Sequence, residues 1–149
     1  MGHRSHVRQI ELTPEPWTVE AEADLAPAYP SGALATVRDL AGDVTSGRAF
    51  LFGVHGDGER LGSVACRVDQ FPEGVELVVV AAGARRAIPG APLTPTVLGG
   101  LEALAANAGF GVRVHTSRPG LVRVLERMGY DAGERVLRKK GAGHGQQVQ

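Results

Sequence analysis

"VELVVVAAGARRAIPGAPLTPTVLGGLEALAANAG", Val75 to Gly109, is the stretch on which the fold turns. Val75 to Ala82 is apolar but for Glu76, the pattern of a central strand buried on both faces. Further on, Val97, Leu98, Leu101, Leu104 and Ala105 recur at helical spacing, and Gly109 offers the stop. A strand, a glycine-containing loop and a helix start, in that order, can cradle a phosphate, because free N–H groups and the helix dipole converge there. "GVRVHTS" (Gly111 to Ser117) then reads as another strand. Val75 to Ser117 is therefore a strand–helix–strand crossover, which runs right-handed and makes its two strands parallel.

On the N-terminal side, "RAFLFGVH" (Arg48 to His55) and "LGSVACRVDQ" (Leu61 to Gln70) are rich in strand formers. Asp57-Gly58 between them is a hairpin turn signal, and "FPEG" makes the next turn. Strands joined so tightly are antiparallel. Before them come "HVRQIEL" (His6 to Leu12) as a short strand and two helices. The first helix is expected to be capped by Thr13 with Pro14 at its first position. Trp17, Ala21 and Leu25 face inward, and Glu20, Glu22 and Asp24 are turned away. The second is expected to start at Ser31, with Leu34, Val37 and Ala41 as its stripe and Gly42 at its exit.

On the C-terminal side, Ser117 can cap "RPGLVRVLERM". Leu121, Val124, Leu125 and Met128 face inward there, and Arg123, Glu126 and Arg127 outward. "ERVLRKK" (Glu134 to Lys140) reads as a charged edge strand, and "GAGHGQQVQ" as a polar tail with no core pattern. The order β-α-α-β-β-β-α-β-α-β makes an α/β domain over residues 1–140. Its mixed, mostly antiparallel sheet carries helices on both faces, and a Gly/Gln-rich tail follows over 141–149. A tail of this kind would be disordered in a free monomer and ordered only by a partner subunit, and a protein partner or a homo-oligomer is expected.

The composition narrows the function classes. With 149 residues the chain is long enough for one core, and 43% hydrophobic with 21% charged residues fits a globular protein. A net charge of zero and 5% aromatic residues give no basic patch with stacking rings, so nucleic acid is not an expected partner. A lone Cys66 and five scattered histidines offer no metal-ligand spacing. The first residues carry no apolar signal region, and no apolar run is long enough to span a bilayer. A cytoplasmic place is the default expectation.

This element order, with Gly129-Tyr130 between the last helix and the last strand, resembles the GNAT (Gcn5-related N-acetyltransferase) superfamily over nearly the whole chain. The segment from Gly111 to Lys140 looks most like small GNAT-like proteins of tailed bacteriophages and prophages. The resemblance implies acetyl-CoA held between the two parallel strands, with its pyrophosphate on an Arg/Gln-x-x-Gly-x-Gly/Ala loop. The implied cofactor residues are Ala82, Arg85, Arg86, Gly90 and Thr94, and the implied base is Glu76.

The match is imperfect in two places. Counting back from Gly109 puts Gly-x-Gly over Pro92-Leu93-Thr94 and the Arg/Gln position on Pro89. The register through Arg86, Gly90 and Ala91 is one residue too long. Pro92 and Pro95 lack N–H groups that a phosphate would use. The family tyrosine that protonates the leaving thiolate falls on Leu125, which cannot donate.

Two readings follow. The first is a GNAT-like module with a degraded cofactor loop, non-catalytic or weakly active, used in protein assembly and virion-associated if phage-encoded. The alternative is an acetyl-CoA-dependent N-acetyltransferase of unknown acceptor. The enzyme needs a splayed gap between the strands Val75–Ala82 and Gly111–Ser117, with free N–H groups converging near Gly90, and the assembly module predicts a filled gap and an exposed apolar patch or edge that closes on a partner. His55, at a strand end, is expected to be exposed. Cys66 alternates with Val64 and Val68 and reads as a small buried hydrophobe. His115 reads as a hydrogen-bonding strand residue.

Overall fold

A computed structural model describes residues 9–29, 35–84, 93–116 and 119–132, with the backbone alone at 93, 94 and 119. It falls into two compact units, one ending at Thr116 and one beginning at Ser117. The first carries β1 (Ile10–Glu15), α1 (Val19–Leu25), a 3-10 turn (Ala26–Ala28), α2 (Val37–Thr45), β2 (Phe50–Gly56), β3 (Glu59–Phe71), β4 (Gly74–Ala84), α3 (Leu93–Ala108) and β5 (Gly111–Val114). The second carries α4 (Pro119–Arg127). The strand expected over Glu134 to Lys140, the tail and the boundary at 140 lie outside the described residues.

The sheet has five strands in the order β1-β2-β3-β4-β5. The first three pairings are antiparallel and β4–β5 is parallel, as the crossover requires. At the β2–β3 hairpin, Asp57 and Gly58 take φ of +54° and +79°, the left-handed pair that a two-residue turn needs. α1 and α2 cover one face, where Ala21, Leu25 and Leu40 pack with Leu51, Ala65 and Ala81. α3 covers the other face. It packs on β1 and β5 and buries Val97, Leu98, Leu101 and Ala105. Leu104, expected in that stripe, is 44% exposed, because the stripe has already turned past it. α3 ends at Gly109 (φ +78°), where Phe110 N–H reaches the Ala105 carbonyl.

The N-terminal third differs from its expected layout. Thr13 and Pro14 do not start a helix; they continue β1. β1 is the sheet's edge, where a proline without an N–H is tolerated. α1 starts at Val19 and is capped by Thr18, whose hydroxyl accepts from Ala21 N–H at 3.1 Å. α2 is capped by Thr36 in a reciprocal box with Asp39, and Gly42 lies inside it. Asp24, expected on the wet side of α1, is buried. β5 stops at Val114 and does not reach Ser117.

α4 buries Leu125, with Leu121, Val124 and Met128 half-buried and Arg123, Glu126 and Arg127 exposed, as its periodicity predicts. Gly129 (φ +94°) closes it, with Tyr130 N–H on the Leu125 carbonyl.

Candidate functional site

The site is built on β4. Its pairing with β3 runs to Ala84, opposite Gly62. Its pairing with β5 runs only from Glu76 to Val79, opposite Gly111 to Val114. From Val80 to Ala84 the β5 side of the strand has no strand partner among the described residues. The register explains the parting. Ala65 opposes Ala81 while Cys66 opposes Val79, so Val80 is an extra residue, a bulge that bends β4. The pairing with β5 ends where the bulge sits, and an unpaired strand edge is where an extended, amide-bearing ligand can add main-chain hydrogen bonds.

A cavity of about 170 Å³ meets this point on the face of α1 and α2. Val80 forms part of its wall, together with Tyr29, Asp39, Asp43, Arg48 and Arg67. Burial raises the Tyr29 pKa, and the charges of Asp43 and Asp39 add to the rise, so the phenol stays protonated well beyond neutral pH. Asp43 is paired with Arg48 at 3.0 Å, and Asp39 accepts from Thr36 N–H at 2.9 Å.

Each residue expected in the site has a place in this geometry or lies outside it. Arg85, Arg86 and Gly90 are outside the described residues. Thr94 is in the first turn of α3, with backbone alone described, and Pro95 behind it removes one N–H from that turn. Ala82 is on the open half of β4, exposed. Glu76 is on the closed half, half-buried, with Arg113 Nε at 3.5 Å from its carboxylate. Arg113 also pairs with Asp69 and lies 5.6 Å from the Phe71 ring centre. Asp69 takes a second pair from Arg67 at 2.9 Å, and the hydrogen bond from Arg67 is the main reason its pKa is lowered. Glu76 lies three residues before Val79, about 10 Å along the strand from the parting point at ~3.3 Å per residue.

The half of β4 from Val80 to Ala84 has no strand partner on its β5 side among the described residues. The helix entrance fits a pyrophosphate poorly, through the missing N–H at Pro95. Among the described residues no group of His, Cys, Asp or Glu could hold a metal ion. No described helix is long and apolar enough to cross a membrane. Cys66 is buried and its thiol is pushed up to about 12 by burial, which leaves it inert. His115 is exposed.

One group was not foreseen from the sequence. Glu15, Asp24, His55, Arg60 and Ser63 form a connected polar chain beneath α1. Ser63 Oγ donates to Asp24 Oδ2 at 2.7 Å, and Arg60 Nη2 donates to Ser63 Oγ at 2.7 Å. Arg60 Nη1 also donates to Glu15, whose other oxygen lies 2.8 Å from His55 Nε2. His55 is thus half-buried and engaged, where exposure was expected. Burial is the largest single influence on Glu15 and raises its pKa, but the hydrogen bonds and charges of Arg60 and His55 together outweigh it. The result lies below the usual carboxylate value.

No protein-family model matches the chain. No curated protein matches it either. Solved structures do. Ribosomal-protein-alanine N-acetyltransferase from Brucella melitensis aligns at TM-score 0.64 and 15% identity, covering 90% of this chain and 100% of that one. An aminoglycoside N-acetyltransferase, AAC(6')-Iy, in complex with CoA aligns at 0.61 and 12% identity, covering 91% and 96%. A Trypanosoma brucei acetyltransferase aligns at 0.59 and 16% identity, covering 89% and 99%. The chain has the fold of the GNAT acetyltransferases, the mixed α/β fold expected from its element order.

Proposed function

We propose that this protein is an acetyl-CoA-dependent N-acetyltransferase acting on a primary amine. The observation that carries the reading is the open half of β4: a bulge at Val80, and no strand pairing on the β5 side from Val80 to Ala84 among the described residues. A non-catalytic assembly module had been expected to close that edge. That module rested on the prolines of the loop, on Leu125 in place of the acid and on the tail, and the open edge favours the enzyme over it. The phage setting has no observation behind it beyond the sequence resemblance.

In this reading the cofactor, when bound, supplies an acetyl thioester. The free peptide groups of Val80 to Ala84 align it, and the small side chain of Ala82 leaves room beside the strand. The acceptor amine comes through the cavity whose wall includes Val80, Tyr29 and Asp39. The Tyr29 phenol, held protonated, can donate a hydrogen bond there. Chemistry makes one C–N bond and breaks one C–S bond. One proton leaves the amine and one reaches the sulfur. Glu76 accepts the amine proton through water, since it stands about 10 Å from the parting point. The leaving thiolate takes its proton from solvent water.

Calorimetric titration with acetyl-CoA tests the cofactor half. Micromolar binding is expected. No heat at millimolar ligand, where a site of only about −4 kcal/mol begins to fill, would overturn the reading. Two acceptors for the first assay follow from the proteins it resembles in fold: an alanine-initiated peptide with a free N-terminus, and an aminoglycoside.

A further inference from the structure

α1 is only seven residues long, too short to hold its position without tertiary support. It nevertheless sits in backbone contact with the open half of β4. A Cβ on Gly83 would collide with the carbonyl oxygen of Asp24, so nothing larger than glycine fits between the two chains. The 3-10 turn and Tyr29 follow Asp24 after the single residue Leu25, so the last turn of α1 sets the height of the cavity wall above the strand.

What holds that turn down is polar. Asp24 is 5% and Ser63 1% exposed, and the chain runs Asp24–Ser63–Arg60–Glu15–His55 through α1, β3, β1 and β2. Arg60 Nε adds an ion pair with Asp24 at 3.4 Å. Well-packed apolar side chains in the same volume would stabilise the domain as well or better. A hydrogen-bonded chain adds direction: it admits one height and one rotation of the helix end. We propose that Glu15, Arg60, Ser63 and Asp24 form a clamp that fixes the end of α1, with Tyr29, over the open half of β4. Asp24 does not line the cavity, so it acts through Tyr29 and Gly83, as a positioning residue. Its role in turnover rests on the N-acetyltransferase reading; the clamp itself does not.

The test compares the full-length protein with Ser63→Ala and with Asp24→Asn, by hydrogen exchange and by acetyl transfer from acetyl-CoA to an alanine-initiated peptide. Exchange over residues 25–29 and 80–84 is expected to quicken by about tenfold, the size of one lost charge-assisted hydrogen bond. Exchange over residues 103–108 of α3 should be unchanged. The KM for the peptide should rise severalfold more than kcat falls. Exchange that quickens uniformly, or not at all, overturns the clamp, and an unchanged KM in a protein that turns over overturns its role in turnover. If the parent protein binds no acetyl-CoA while the local quickening is seen, the N-acetyltransferase reading fails and the clamp stands. Should one variant not fold, the other carries the same comparison.

Discussion

Two clusters of charge lie on the α1–α2 face of one sheet, and they are built differently. At the open end of β4, Glu15, Arg60 and Asp24 have side chains 17%, 15% and 3% exposed. At the closed end, Arg67, Asp69, Arg113 and Glu76 are 25–41% exposed. Both are networks of arginine and carboxylate. Water screens the second and is largely kept from the first, so the same chemistry carries different weight. Removing one partner from the buried cluster strands a charge. Removing one from the wet cluster hands its partner to solvent.

The largest effect should come from Arg60→Met, which leaves Glu15 and Asp24 without their shared cation. A loss of about 3–5 kcal/mol is expected in urea unfolding. A loss below about 1 kcal/mol would erase the distinction between the clusters. In the wet cluster Glu76→Gln is the variant that reads function. It should lower turnover by about a hundredfold with acetyl-CoA affinity unchanged, the scale of a general base. A fall of less than about threefold would reduce Glu76 to the partner of Arg113.

Gly83→Ala probes the backbone approach above the buried cluster. It should cost about 1–3 kcal/mol, since the colliding atom is a main-chain carbonyl that has nowhere to turn. A neutral result would mean that α1 can lift, and the clamp with it.

The pH dependence of Glu15 follows from the sign of its shift. Its folded pKa is lowered from 4.5, so its contribution is complete above that value and is lost as pH falls through the folded value. The difference in melting temperature between the parent and Glu15→Gln should therefore shrink as pH falls below 4.5. Asp69 is lowered too, with the same sign. Yet Asp69→Asn should cost only about 0–1 kcal/mol at neutral pH, because its partners are half in water. A larger loss would place the two clusters in one class.

Much of the scaffold was legible in the chain. The apolar run from Val75 marked the central strand, Asp57-Gly58 marked the hairpin, and the α3 stripe marked a helix between parallel strands. These features are local: period, turn chemistry and stops act within a few residues. The errors share a cause. Thr13-Pro14 looked like a helix start because cap chemistry is indifferent to whether a strand is at an edge. Asp24 looked exposed because its partners, Ser63 and Arg60, lie more than thirty residues away.

The bulges were the decisive blind spot. Alternation puts Arg60 and Ser63 on opposite faces. The register skips Leu61, so both face α1 and hydrogen-bond each other. The extra residue at Val80 likewise parts β4 from β5, and no side-chain pattern announces it. The amino-acid sequence by itself determined the element order, the parallel crossover and the mostly antiparallel sheet, because these rest on short-range periodicity and on the handedness of chain connections. Only the tertiary structure decided that, among the described residues, the β5 side of β4 is unpaired from Val80 onward and that a buried polar chain lies beside it. Register and burial are properties of pairs of strands, and a pair exists only once the chain has folded.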